Sequence, residues 1–149
     1  MGITRWLWAA IHLLGLGVGL GAIWARARLL RRELTPVSLR QIFAADAWWG
    51  IAALMWVGSG LVRAFGGFEK GTAYYLDNHF FLTKMALLIV ILVLEVGPIT
   101  TLARWRLQVR RGEAIDPAPA GRYATTSTVQ AVLVVIMVLL ATGMARGYG

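Results

Sequence analysis

Six ionisable side chains stand within or beside long apolar stretches, and these are where chemistry would reside: His12, Asp46, Arg63, His79, Lys84 and Glu95. The chain has two histidines and no cysteine. An imidazole is a common ligand for metals and for haem iron. The missing cysteine excludes disulfides, thiolate metal sites and iron–sulfur clusters. The two histidines are far apart in sequence, so no HExxH or di-iron spacing exists, and there is no nucleotide-binding loop. No serine or threonine sits with a histidine–acid pair in a hydrolase setting.

His12 shares a helical stripe with Arg5, Trp8, Gly15 and Gly19, and Gly17 with Gly21 makes a second small-residue pair beside it. Two readings fit. In one, the glycines let helices pack closely and His12 hydrogen-bonds across the bundle. In the other they make room for a flat porphyrin whose iron takes an imidazole nitrogen of His12. His79 depends on where its helix starts. A start at Asp77, with Asp77 as cap, makes it interfacial. A start nearer Tyr74 brings it towards the level of His12, where both could ligate one haem. The glycine pairs also offer a face for a homodimer.

Arg63 and Lys84 lie near the ends of apolar segments, where long cations either snorkel to the interface or line a site for carboxylates such as haem propionates. Asp46 and Glu95 belong to the opposite half. Glu95 is eleven residues after Lys84, about three turns away and too far to pair with it. Its expected partners, and those of Asp46, are Arg26, Arg104 or a shared proton. A buried ion pair and a proton relay are the two roles such acids take. Pro98 cannot donate to the carbonyl of Leu94, which predicts a kink beside Glu95. Asp46, Trp49, Gly50, Ala53 and Gly60 form an expected packed face.

The elements that position these residues follow from composition. The chain is 149 residues long, 58% hydrophobic and 15% charged, with mean hydropathy +0.67, too apolar for a soluble globule. About 20 apolar residues span a bilayer as a helix. Four such segments are expected at about 6–26, 36–65, 77–106 and 123–146, with Thr35 capping the second and Pro36 at its first position. GGFEKGTAYYLDN and GEAIDPAPAGR read as loops. The fold expected is a single all-α domain, residues 1–149, an integral membrane antiparallel four-helix bundle. Ala25-Arg26-Ala27 imitates a signal cleavage site, but the positive charges follow the apolar run, so the first segment reads as a retained helix.

The net charge of +8 is not a nucleic-acid signature, because the basic residues cluster at segment ends. Ten of the 15 fall in two connections: Arg26, Arg28, Arg31, Arg32 and Arg40 in one, Arg104, Arg106, Arg110, Arg111 and Arg122 in the other. That predicts a cytoplasmic side there and both termini outside, in a multi-pass protein of the bacterial cytoplasmic membrane. Aromatic belts are expected at Trp6, Trp8, Tyr74, Tyr75 and Tyr148 on the outer side, and at Trp24, Trp48, Trp49, Trp105 and Tyr123 on the inner.

The runs AIHLLGLGVGLGAIWARARLLRR, IFAADAWWGIAALMWVGSGLVRAFGG, EKGTAYYLDNHFFLTKMALL and PITTLARWR resemble an uncharacterised family of small bacterial membrane proteins, a domain of unknown function, to about Arg106. A second likeness is to membrane-type protoporphyrinogen oxidases and copper-resistance D-like proteins. These have a histidine in their first segment and a lysine opening a later one, in a pattern like WLHxKLxLxLLL. His12 and Lys84, in KMALLIVILVL, look like those positions, although Leu82 stands where the pattern has histidine. The resemblance implies b-type haem and oxidoreductase chemistry. The resulting expectation is haem b in the outer half, with His12 as axial ligand, His79 or Lys84 as second ligand or propionate partner, and Arg63 on a propionate. The alternatives are a cofactor-free accessory or assembly protein, and a small proton-linked transporter using Lys84, Glu95 and Asp46.

Overall fold

The computed structural model describes residues 2–67 and 70–148. Phe68 and Glu69, part of the expected polar loop, lie outside the described residues. Among the described residues the chain forms α1 (Gly2–Leu29), α2 (Pro36–Phe65), α3 (Thr72–Asp77), α4 (His79–Arg110) and α5 (Ala120–Ala145). All but α3 are long and apolar enough to cross a membrane. Even α5, with 26 residues, extends about 39 Å, against a hydrocarbon core of about 30 Å.

Local chemistry sets the helix starts. Thr35 and Ser38 form a reciprocal capping box: Ser38 N–H donates to Thr35 Oγ1 at 3.1 Å, and Thr35 N–H to Ser38 Oγ at 2.7 Å. Pro36 follows at the position where a missing N–H costs nothing. α4 is capped by Asn78, whose Oδ1 accepts from Phe81 N–H at 3.0 Å, and not by Asp77. The reason is α3, a short helix within the stretch expected to be loop. Asp77 ends it, and Asn78 takes the extended backbone that a cap requires. Pro98 lies inside α4 without ending it.

The helices are ordered α2–α1–α5–α4, each packed antiparallel on its neighbour, while α2 and α4 scarcely approach one another. Gly15 and Gly19 line a close seam between α1 and α2. A Cβ on Gly15 would lie 2.9 Å from the Trp56 backbone nitrogen, and one on Gly19 3.4 Å from Ala52 Cβ. That stripe is therefore used within the chain, against α2, whereas a Cβ added at Gly17 or Gly21 would meet nothing within 4 Å among the described residues. Lipid offers no hydrophobic drive between helices, so close packing of small residues carries much of their association.

Ile23, Trp49, Trp56, Ile91, Val134 and Met137 fill the middle of the bundle. Leu30, Ile42, Leu102, Trp105 and Tyr123 fill the end that carries the 30–35 and 111–119 connections, the loop end. At the other, terminal end Tyr75 of α3 packs with Ala64 and Phe81, closing the gap between α2 and α4. Trp49, Tyr75, Trp105 and Tyr123 are thus core residues and not belt residues. Each is drawn in by a close partner. The ring of Tyr123, for instance, lies where a Cβ on Gly97 would be only 2.7 Å away. Outward-facing Leu54, Val93 and Leu139 are 65–78% exposed, as expected of a lipid-facing surface.

Candidate functional site

Two features interrupt this apolar interior. The first is a knot around Arg26, which is fully buried although its sequence position suggested a loop arginine. It lies in the last turn of α1, aimed inward. A guanidinium carries five N–H donors, and all five are used. Nε donates to Ser127 Oγ at 3.0 Å, Nη1 to Asp46 Oδ1 at 2.8 Å and to Glu95 Oε1 at 2.7 Å, and Nη2 to Glu95 Oε2 at 2.8 Å and to Gln130 Oε1 at 3.0 Å. Gln130 Nε2 in turn donates to Glu95 Oε2 at 2.8 Å and to the Ile91 carbonyl at 3.1 Å.

Arg106 completes the knot, donating to Asp46 Oδ2 at 2.8 Å and to the Phe43 carbonyl at 2.9 Å. Two cations therefore face two carboxylates, and one cluster ties all four spanning helices together. The expected ion pair of Asp46 with Arg26 is present, and Glu95 joins it, but Arg104 takes no part and is exposed. Helical geometry separates the two arginines: residues two apart point to different faces, and it is Arg106 that reaches α2. Gln130 and Ser127 went unrecognised in the sequence. The signal available was a lone amide, Gln130, within an otherwise apolar run.

The second feature is a cavity of about 420 Å³ between α2 and α4 in the terminal half, roofed by α3. The sparse contact between α2 and α4 leaves this space. Its wall is largely apolar, with Leu16, Trp56, Phe81, Leu88 and the methionines Met85, Met137 and Met144. His12, Arg63, Lys70 and Lys84 are the basic residues in its lining. The volume falls within the ~300–1,000 Å³ typical of small-molecule sites.

His12 is held against α2. Its Nδ1 is 2.9 Å from the Trp56 carbonyl and 3.0 Å from Ser59 Oγ. A carbonyl oxygen can only accept, so Nδ1 carries a proton and donates it there. Metal-ligating histidines are commonly oriented by this kind of backbone bond. Gly60 makes room for the ring, since a Cβ there would sit 3.0 Å from Cε1.

Of the residues singled out from sequence, the cavity brings together His12, Arg63 and Lys84. His79 is exposed at the first position of α4 and lies outside the lining. Lys70 and the three methionines join the site unforeseen. Asp46 and Glu95 belong to the knot, towards the loop end. Among the described residues no three histidine or carboxylate side chains converge on one point.

Residues 4–149 match the family model described as "Predicted membrane protein (DUF2214)". The chain belongs to this family. No curated protein and no solved structure matches it. The match extends through α5, past the Arg106 limit suggested by the residue runs, and membrane residence agrees with the four spans.

Proposed function

We propose that this membrane protein binds haem b in the cavity between α2 and α4, for a redox role. The observation that carries the reading is His12. Its Nδ1 is bonded to the Trp56 carbonyl, as in many metal-ligating histidines, and its ring forms part of a largely apolar wall. A porphyrin brings four nitrogens of its own, so a single protein imidazole suffices where a bare ion would need more. Arg63 and Lys84 suit the propionates, and Met85, Met137 and Met144 offer thioethers of the kind that ligate haem beside histidine. When bound, haem supplies one-electron chemistry. The protein's part is to hold and orient it and to keep water from its apolar faces.

A cofactor-free accessory protein is the second reading, and the knot favours it. Its charges balance and its donors are matched, as suits residues that only hold helices together. The same closure argues against a proton-linked carrier, since both oxygens of Asp46 and both of Glu95 are engaged by cations. We also infer that the loop end, with exposed Arg28, Arg31, Arg32, Arg110 and Arg111, faces the cytoplasm of a bacterial inner membrane.

The test is an absorption spectrum of detergent-purified protein, oxidised and dithionite-reduced, for wild type and His12→Ala. The reading predicts a Soret band with sharp reduced α and β bands that the variant loses. Colourless wild-type protein, after haem is supplied during expression, would overturn it and leave the accessory role.

A further inference from the structure

A second cavity, of about 590 Å³, opens at the loop end between the last turns of α4 and the first turn of α5. Its chemistry is unlike that of the first. Arg104 and Arg122, both exposed, stand on opposite helices across it, with Thr100 and the carboxylate of Asp116 in the same lining. The Arg122 guanidinium is held over the Tyr123 ring, 5.0 Å from its centroid, and Nη2 donates to the Tyr123 hydroxyl at 3.2 Å. Asp116 Oδ1 is occupied by Ala118 N–H at 2.9 Å. Among the described residues no side chain caps the α5 N-terminus, and its first turn holds no acid. Its positive end therefore adds to the two arginines.

Gln108 also lines this cavity, and its Oε1 is buried without a hydrogen-bond partner among the described residues. An orphaned buried acceptor calls for a donor, and because Gln108 Oε1 has no surface open to the cavity, the side chain must turn outward to meet one. The cavity thus asks for two things at once. Two arginines against one aspartate leave one net positive charge, to be met by one negative charge, and Gln108 asks for a donor. The apolar outer faces of α4 and α5 give way to arginines beside this cavity, the pattern expected at the depth of a lipid headgroup.

We propose that this cavity holds the headgroup of an anionic phospholipid whose phosphodiester sits between Arg104 and Arg122, and whose headgroup hydroxyls donate to Gln108. A phosphodiester carries a single negative charge and offers planar guanidinium groups paired oxygen acceptors. A glycerol headgroup supplies the hydroxyl donor, whereas a choline headgroup has none. A soluble phosphate ester shares the chemistry but has no acyl chains to place against α4 and α5.

Native mass spectrometry of the full-length protein in detergent, titrated with short-chain lipids, tests this. Both lipids place the same phosphodiester between the arginines, so phosphatidylglycerol should bind the wild type about fivefold tighter than phosphatidylcholine, the value of one neutral hydrogen bond to Gln108. Arg104→Gln with Arg122→Gln should abolish that preference. Arg110→Gln with Arg111→Gln removes the same charge from the same end and should retain it. Gln108→Met, which keeps the shape and removes the acceptor, should reduce it. Far-UV circular dichroism confirms that each variant is folded. Equal affinity for the two lipids, or equal loss in both arginine pairs, would overturn the site and leave general attraction between arginines and anionic lipid. Glycerol 3-phosphate competing at the concentration of the lipid would overturn the lipid assignment in favour of a soluble ester.

Discussion

Replacing Arg26 by methionine tests the knot at its centre. The substitution keeps an unbranched apolar stem and removes all five donors. The consequences differ among the partners. Asp46 keeps Arg106 at 2.8 Å, but Glu95, with its side chain 16% exposed, is left with the amide of Gln130 as its hydrogen-bond donor. Removing one member of a buried ion pair costs about 3–5 kcal/mol, because the other charge stays buried and unmatched. Arg26→Met should therefore destabilise the protein by at least about 3 kcal/mol. Adding Glu95→Leu removes the stranded charge, and the double variant should recover about 2 kcal/mol or more, a coupling typical of residues in one network. Arg106→Gln should cost under about 1 kcal/mol, since that side chain is 35% exposed and screened. Reversible unfolding in mild detergent, titrated with SDS and followed by far-UV circular dichroism, reads all four proteins on one scale. If Arg26→Met lay within about 1 kcal/mol of wild type, or if Glu95→Leu deepened the loss, the argument for a load shared through Arg26 would fail.

Three further outcomes follow from close contacts and from topology. Gly97→Leu forces a side chain into the Tyr123 ring, 2.7 Å from the added Cβ, and should cost about 1–3 kcal/mol in the same titration; wild-type stability would contradict the packing. Gly60→Val should push the His12 ring off the Trp56 carbonyl and weaken haem absorbance while helicity is kept, whereas unchanged absorbance would show that the ring's seat is immaterial. The natural chain has no cysteine, so single cysteines report topology cleanly. A membrane-impermeant maleimide on intact cells should label Thr72→Cys at once and Glu113→Cys only after permeabilisation; the reverse order would invert the assigned sides.

The four spanning helices were legible because each carries a long apolar run between breakers, and Thr35-Pro36 announces a helix start in its own residues. Other features depended on tertiary contacts. Whether Gly15 and Gly19 face a second copy or the chain's own α2 is decided by which helix arrives there. Arg26 looked like a topology signal because sequence marks charge but not depth, and α1 runs a full turn further into the arginine cluster than its apolar run suggests. Arg104 and Arg106 are equally plausible partners in sequence, and only the direction of α4 relative to α2 selects Arg106. The cavity is the least legible feature. It arises from a gap between two non-consecutive helices, and α3, its roof, lies in a stretch rich in turn residues.

The most direct test of the cavity as a haem site leaves His12 untouched. Ala141 lines the cavity on α5, and Ala141→Trp fills that space with a large apolar side chain. Haem titrated into detergent-solubilised wild-type protein should give a saturable, stoichiometric Soret shift, and the variant, folded by circular dichroism, should give none. A wild type that shows no saturable shift, or a variant that binds as the wild type does, would contradict the account.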